Sequence, residues 1–165
     1  MKLGDGVEQA IHSVTMLAAL PDGQVLPASA LAEFHGVSTS YLLKHLQSMS
    51  REKIVETVPG PRGGYRLNRS PENITLLDVV LAVEGSQPAF RCKEIRQNGP
   101  TPLSRDRFTV PCQINAAMLR AERAYRAELG LVSIADLNAS VVASDDGSIV
   151  ARGCAFLDLH ARKSS

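Results

Sequence analysis

The chain has 165 residues, 44% hydrophobic and 21% charged, which suits one cored globular domain with an appendage. A formal net charge of +1 removes bulk charge as an argument for nucleic acid, so any such argument must be local. Three cysteines, Cys92, Cys112 and Cys154, are too sparse and odd in number for a secreted disulfide framework, which leaves buried, ligating and redox-active thiols open.

The start, MKLGDGVEQAIHSVTMLAAL, carries an apolar run broken by Glu8, Gln9 and His12. It lacks the uninterrupted core of a signal peptide, and no stretch reaches transmembrane length. The chain reads as cytoplasmic, with no membrane partner. Within 4–20, Val7, Ala10, Ile11, Val14, Leu17 and Ala18 recur at helical spacing. PDGQ (21–24) is turn chemistry, and Pro27 can begin a second helix bearing Leu31, Ala32 and Phe34. After Gly36 and Val37, Ser38 is a good N-cap for a third helix over 39–50, in which Leu42, Leu46 and Met49 share a face. IVETV (54–58) and YRL (65–67) read as short strands joined by PGPRGG.

SPENITLLDVVLAVEG (70–85) reads as a fourth helix, with Thr75 as N-cap, Asp78 as the capping-box acid in shortened form, and Gly85 as the stop. Residues 86–111 hold four prolines and little periodicity, and so form a loop. A long helix follows over about 113–129, with Ile114, Ala117, Met118, Ala121, Ala124 and Tyr125 as one stripe. A short helix fits Ser133 to Leu137. Residues 138–165 are weakly patterned, SDDGS looks like a turn, and nothing in the sequence places Cys154.

Helix, tight turn with glycine, helix, then hairpin is the order of a winged helix-turn-helix. The fold class expected is therefore mainly α with a small β-wing, followed by a long dimerisation helix. Ser38, Thr39, Ser40, Tyr41 and Lys44 form the exposed start of the third helix. Small hydroxyls let a helix N-terminus approach phosphates, and Tyr41 and Lys44 can reach base edges or backbone. From 38 to 70, six basic residues (Lys44, Arg51, Lys53, Arg62, Arg66, Arg69) face two acids (Glu52, Glu56), a local balance of +4 in a nearly neutral chain. In GPRGGYRL (60–67), Gly63 and Gly64 allow a hairpin tip without Cβ clashes, Arg62 at that tip is set against the minor groove or its phosphates, and Arg66 in the same wing is a further expected DNA contact. A nucleotide-binding loop is the weaker reading, since no Lys-Ser/Thr follows and no helix starts there.

Taken together, MKL leading into the first helix, LAEFHGVSTSYLLKHLQSM, GPRGGYRL and ITLLDVVLAVEG resemble the IscR/NsrR/RirA family of winged-helix regulators, the Rrf-two family, over about residues 1–140. The resemblance implies a homodimer joined through the long helix, with Ile114, Met118, Ala121 and Tyr125 at its interface, bound to palindromic double-stranded operator DNA. It also implies sensing of iron–sulfur status, nitric oxide or redox state. It divides the chain into a DNA-binding domain (1–85), a cysteine-bearing sensor loop (86–112), a dimerisation helix region (113–140) and a C-terminal tail (141–165).

Cluster-binding members usually carry three closely spaced cysteines before the long helix. This chain departs from that pattern: nineteen residues separate Cys92 from Cys112, and Phe108 stands where a further cysteine is expected. Glu8 and His12, four apart, project from one face of the first helix. By themselves they are open to being a surface acid and a satisfied imidazole. The RsrR-type members resemble this chain most, and they hold a 2Fe–2S cluster with two cysteines of one subunit and a Glu and His of the other. Glu8, His12, Cys92 and Cys112 match that set, and His ligation would raise the cluster's potential. The expected function is a dimeric DNA-binding transcription regulator, a repressor, sensing redox through a 2Fe–2S cluster. The alternatives are a cluster-free thiol–disulfide switch through Cys92 and Cys112 and a DNA-binding adaptor without a sensory ligand. No nucleophile–base pair, phosphate loop or zinc-protease pattern suggests an enzyme, and no small-molecule substrate is expected.

Overall fold

Helix α1 (Asp5–Ala18) is the piece against which the rest of the chain is packed. Val7, Ala10, Val14 and Leu17 give it one continuous buried stripe, as the sequence periodicity requires. In the computed structural model, which describes residues 3–164, this stripe meets α2 (Ala28–His35), α3 (Thr39–Arg51), α4 (Leu76–Glu84) and α6 (Ile134–Ser144). Met1 and Lys2 of the MKL start lie outside the described residues, as does Ser165. Leu31, Leu42, Leu46, Met49, Ile54 and Val79 complete the core beneath it.

The helix boundaries follow local chemistry. Gly36 closes α2 in the left-handed conformation (φ 65°), which an L side chain would strain. Ser38 caps α3, its side chain accepting from the Tyr41 amide at 3.5 Å. Thr75 and Asp78 form the capping box of α4: the Thr75 amide donates to Asp78 Oδ2 at 2.8 Å and the Asp78 amide to Thr75 Oγ1 at 3.2 Å. The fourth helix starts later than 70, because Pro71–Asn73 form a separate 3-10 turn before the cap.

Strands β2 (Val55–Val58) and β3 (Gly64–Leu67) pair antiparallel, with Val55 opposite Leu67 and Glu56 opposite Arg66. The segment after β1 (Gln24–Val25) joins β3 through mutual backbone hydrogen bonds of 2.9 Å between Leu26 and Tyr65. Residues 86–111 form the expected loop, with 3-10 turns at Ile95–Gln97 and Arg105–Arg107, and α5 (Gln113–Gly130) is the expected long helix. The mostly helical architecture with a small antiparallel wing is thus the fold class expected from the sequence.

The end of the chain differs from its weak sequence pattern. The short helix expected at 133–137 extends to Ser144 as α6, capped by a second reciprocal box between Ser133 and Asp136. SDDGS is a turn into a further helix, α7 (Ser148–His160), and then strand β4 (Arg162–Lys163). Leu157 of α7 is buried in the core, Phe156 packs edge-on against Phe34 at 4.9 Å, and Arg152 lies over the Phe34 ring at 4.5 Å. Strand β4 pairs antiparallel with β1. These contacts are made with residues more than a hundred positions away, so no local periodicity announces them.

The two glycines of the hairpin tip are required by close approach. A Cβ on Gly63 would stand 2.1 Å from the Val58 carbonyl oxygen, and one on Gly64 would stand 2.6 Å from that of Leu26. Gly63→Ala should therefore lower stability by about 1–3 kcal/mol, the usual cost of forcing a side chain into occupied space. A wild-type thermal unfolding midpoint for this variant would contradict the tip geometry.

Candidate nucleic-acid interface and thiol pair

The start of α3 is exposed at Ser38, Thr39, Ser40, Tyr41 and Lys44, while Leu42, Leu46 and Met49 are buried on the opposite side. Ser38 Oγ lies 3.0 Å from Ser40 Oγ, and Lys44 Nζ sits 6.0 Å from the centre of the Tyr41 ring. The helix thus offers hydroxyls, a phenol and an ammonium on one surface at its N-terminal end. Arg62 is exposed at the hairpin tip. Arg66 is placed differently from these residues. It is half-buried, ion-paired across the hairpin with Glu56, and 3.4 Å from Ser164 Oγ.

A residue not singled out in the sequence ties α3 to α1. The imidazole of His45 lies so close to Gly6 that a Cβ there would be 2.3 Å from its Cε1 atom. His45 also meets Tyr41 edge-on at 4.7 Å. Its Nε2 is buried and has no hydrogen-bond partner among the described residues. Burial chiefly pushes its pKa below the ordinary histidine range; Glu84 opposes this and Lys44 adds to it. Glu84 additionally accepts the Gly4 amide at 3.0 Å, fixing the start of α1 against the end of α4.

The loop that carries Cys92 is anchored on α5. The nearly buried carboxylate of Glu122 accepts the Ala89 amide at 3.1 Å and pairs with Arg126 at 2.6 Å. Arg126 in turn donates to the carbonyls of Ser86 and Gln87. The chain is thereby turned back, and Cys92 comes close enough to Cys112, the N-cap residue of α5, to influence its ionisation. The Asn115 amide foremost, then the Ile114 amide, the neighbouring Cys92 thiol and the charge of the Arg96 guanidinium favour the ionised form of the Cys112 sulfur. Together they outweigh desolvation and hold this thiol below its ordinary pKa. Arg96 itself is paired with Glu94 at 2.8 Å and lies 4.8 Å from the Phe108 ring. Phe108, which stands where a third cysteine is expected, thus packs against a cation.

Glu8 and His12 are both exposed on the outer face of α1 and line one hollow of about 350 Å³ with Leu3, Val7 and Ile11. They are not brought together with Cys92 and Cys112: among the described residues no three His, Cys, Asp or Glu side chains converge as a metal site within one protomer. Cys154 lies elsewhere, on α7. It lines an apolar hollow of about 400 Å³ with His12, His35, Met16, Val141 and Leu157. His35 packs 5.6 Å from His12 and is pushed below its usual pKa by burial first, then by His12 and Arg152. On α5, Ile114 (66% exposed), Met118 (44%) and Ala121 are open, whereas Tyr125 is half-buried beside α4 residues Leu77 and Leu81.

The family model described as Rrf2, iron-dependent transcriptional regulator, matches residues 3–140. The chain belongs to the Rrf2 family. Among relatives, a putative HTH-type transcriptional regulator YffB of Lactococcus lactis is 34% identical over 83% of this chain and 86% of its own length. Another, YwgB of Bacillus subtilis, is 35% identical over 59% of this chain and 63% of its own. The fold matches T. potens IscR with a TM-score of 0.64 at 17% identity, covering 92% of this chain and 96% of that one. It also matches CymR, the global cysteine regulator of B. subtilis, with a TM-score of 0.62 at 18% identity over 85% and 98%. This Rrf2 chain is accordingly a DNA-binding transcription regulator and not an enzyme. No helix among the described residues is long and apolar enough to cross a membrane.

The lowered pKa of Cys112 makes its thiol reactive. With iodoacetamide near neutral pH, Cys112 should be alkylated faster than Cys154, and its rate should persist to lower pH. Peptide mass spectrometry over a pH series checks the order; equal rates at the two positions would remove the proposed activation at the start of α5.

Proposed function

We propose that this Rrf2 protein is a dimeric repressor that senses redox state through a 2Fe–2S cluster held by Cys92 and Cys112 of one subunit and by Glu8 and His12 of the partner subunit. The observation that carries this reading is the apposition of Cys92 and Cys112 at the N-terminus of α5, beside Arg96. Two adjacent sulfurs, one favoured as thiolate, suit iron. Glu8 and His12 offer an oxygen and a nitrogen on one exposed face, but away from the thiols of their own subunit. The donor set therefore fits the group as two half-sites, complete only across a dimer. When bound, the cluster would supply a one-electron redox centre, with the histidine raising its potential. The family description as iron-dependent supports the same reading.

The dimer would form through the exposed Ile114–Met118–Ala121 side of α5, with Tyr125 at its margin. Operator DNA would meet Ser38, Thr39, Ser40, Tyr41 and Lys44 in the major groove and Arg62 at the wing. Arg66, held by Glu56, would stiffen the wing beside those contacts. Helix α1 connects the two functions. Its outer face carries Glu8 and His12, and its inner face touches His45 of α3 at Gly6. A shift of α1 would move the recognition helix with it.

A thiol–disulfide switch is the second reading, favoured by the same apposition of Cys92 and Cys112 within one subunit, which needs no partner ligand. Anaerobic purification with iron and sulfide analysis and visible spectroscopy separates the two. Cluster absorbance abolished in Cys92→Ala or Cys112→Ala, altered in His12→Ala, less so in Glu8→Ala, and unchanged in Cys154→Ala is the expected pattern. A colourless protein that forms a Cys92–Cys112 disulfide on oxidation would select the second reading. A cluster abolished in Cys154→Ala but kept in His12→Ala would overturn the cross-subunit ligand set.

The dimer has its own test. Met118→Glu puts a charge into the exposed apolar side of α5 and should convert the protein from dimer to monomer in light scattering at micromolar concentration. A monomeric wild-type protein would refute the interface.

A further inference from the structure

We propose that the last strand of the chain, Arg162–Lys163, is a second DNA-contacting segment that extends the wing and grips the phosphate backbone of the same duplex. The inference rests on the reading of the wing as a DNA contact.

Strand β4 adds to the outer edge of β1, with Lys163 opposite Gln24 and Arg162 opposite Val25. The next residue holds it in place: the Ser164 amide donates to the Gly23 carbonyl at 3.1 Å, and its hydroxyl donates to the same oxygen at 2.9 Å. Arg66 of the wing reaches Ser164 Oγ at 3.4 Å. Since alternate residues of a strand share a face, Arg162 lies on the side of Ser164 and so of Arg66. Its guanidinium crosses to the hairpin tip and donates to the Pro61 carbonyl at 3.2 Å, one residue from Arg62.

The chain end therefore makes the wing a wider element with a denser charge. Arg162 and Lys163 are both exposed and add two cations to the edge that already carries Arg62. Asp22, two residues before Gln24 in the sequence, is the nearest acid to β1, and one carboxylate does not cancel them. A guanidinium has five N–H donors, so the bond to Pro61 leaves it able to hold a phosphate. Such contacts carry no sequence information; they supply affinity and position, and they release counterions. Continuity with the wing and the sign of the charge select duplex DNA over an apolar or cationic partner.

Lys163 is the position to test, because its side chain is exposed and β4 is joined to β1 through the backbone. Full-length wild type, Lys163→Ala and Lys163→Glu are titrated against a fluorescent mixed-sequence duplex by anisotropy, over a potassium chloride series. The expected result is weaker binding for Ala and weaker still for Glu. The slope of log affinity against log salt should shrink by about 0.9 for each phosphate no longer neutralised. Thermal unfolding should be unchanged. Wild-type affinity and slope in both variants would overturn the proposal. Weaker binding with an unchanged slope would also overturn it, since that is the signature of a distorted wing. Lys44→Ala and Arg62→Ala, measured alongside, report on the recognition helix and wing. If they weaken binding while both Lys163 variants match wild type, the wing reading stands and only the contact by β4 falls.

Discussion

The arrangement depends on the close approach of α1 to α3 at Gly6 and His45. With no side chain at position 6, the imidazole sits directly against the α1 backbone, and any added atom would overlap the ring. The contact lies near the start of α1, where Glu84 also holds the Gly4 amide, so the N-terminal turn is fixed on two sides. Deeper along the helix, Val7, Ala10, Val14 and Leu17 lock the same face into the core. Interiors packed at this density shift as units rather than deform continuously. Helices α1 and α3 are therefore held as one body, and in the proposed reading what binds the outer face of α1 would act on the exposed start of α3.

The thiol pair depends on a different device. Residues 86–111 have little regular structure, and such a loop would not hold a cysteine at a fixed distance from another twenty positions away. Glu122 and Arg126 supply the missing constraint by binding backbone groups at the loop's start. From there, Cys92 arrives beside the N-terminus of α5, whose first amides favour a thiolate on Cys112. The same helix leaves Ile114 and Met118 uncovered one turn further on. Cys112 and the exposed apolar side are thus carried by one helix, which in the proposed dimer would put the thiols at the margin of the subunit contact.

The chain end and the wing show how a basic residue's role depends on its neighbours. Arg66 and Arg62 are indistinguishable as charges in GPRGGYRL, yet the antiparallel register sets Arg66 opposite Glu56. Arg62, at the tip where the strands have ended, has no cross-strand position. Arg162 and Lys163 follow a weakly patterned segment and acquire a place beside the wing only because α7 buries Leu157 and sets Phe156 edge-on against Phe34.

The sequence by itself determined the elements whose causes are local: the apolar stripe of α1, the Ser38 and Thr75 caps, the Gly36 and Gly85 stops, and Gly63 at the hairpin tip. Each of these is decided by residues within a few positions of one another, through periodicity, capping or the absence of a Cβ. It also determined that Glu8 and His12 share a face, because four residues along a helix fix that. Tertiary structure alone decided what depends on distant parts of the chain meeting. The apposition of Cys92 and Cys112 needs Glu122 and Arg126 to fold the loop back. The tie between α1 and α3 needs a histidine that has no marked pattern in sequence. The last strand finds its partner at Gln24 and Val25, near the opposite end of the chain. Such contacts are set by the packing of the whole core, and no window of neighbouring residues contains that information.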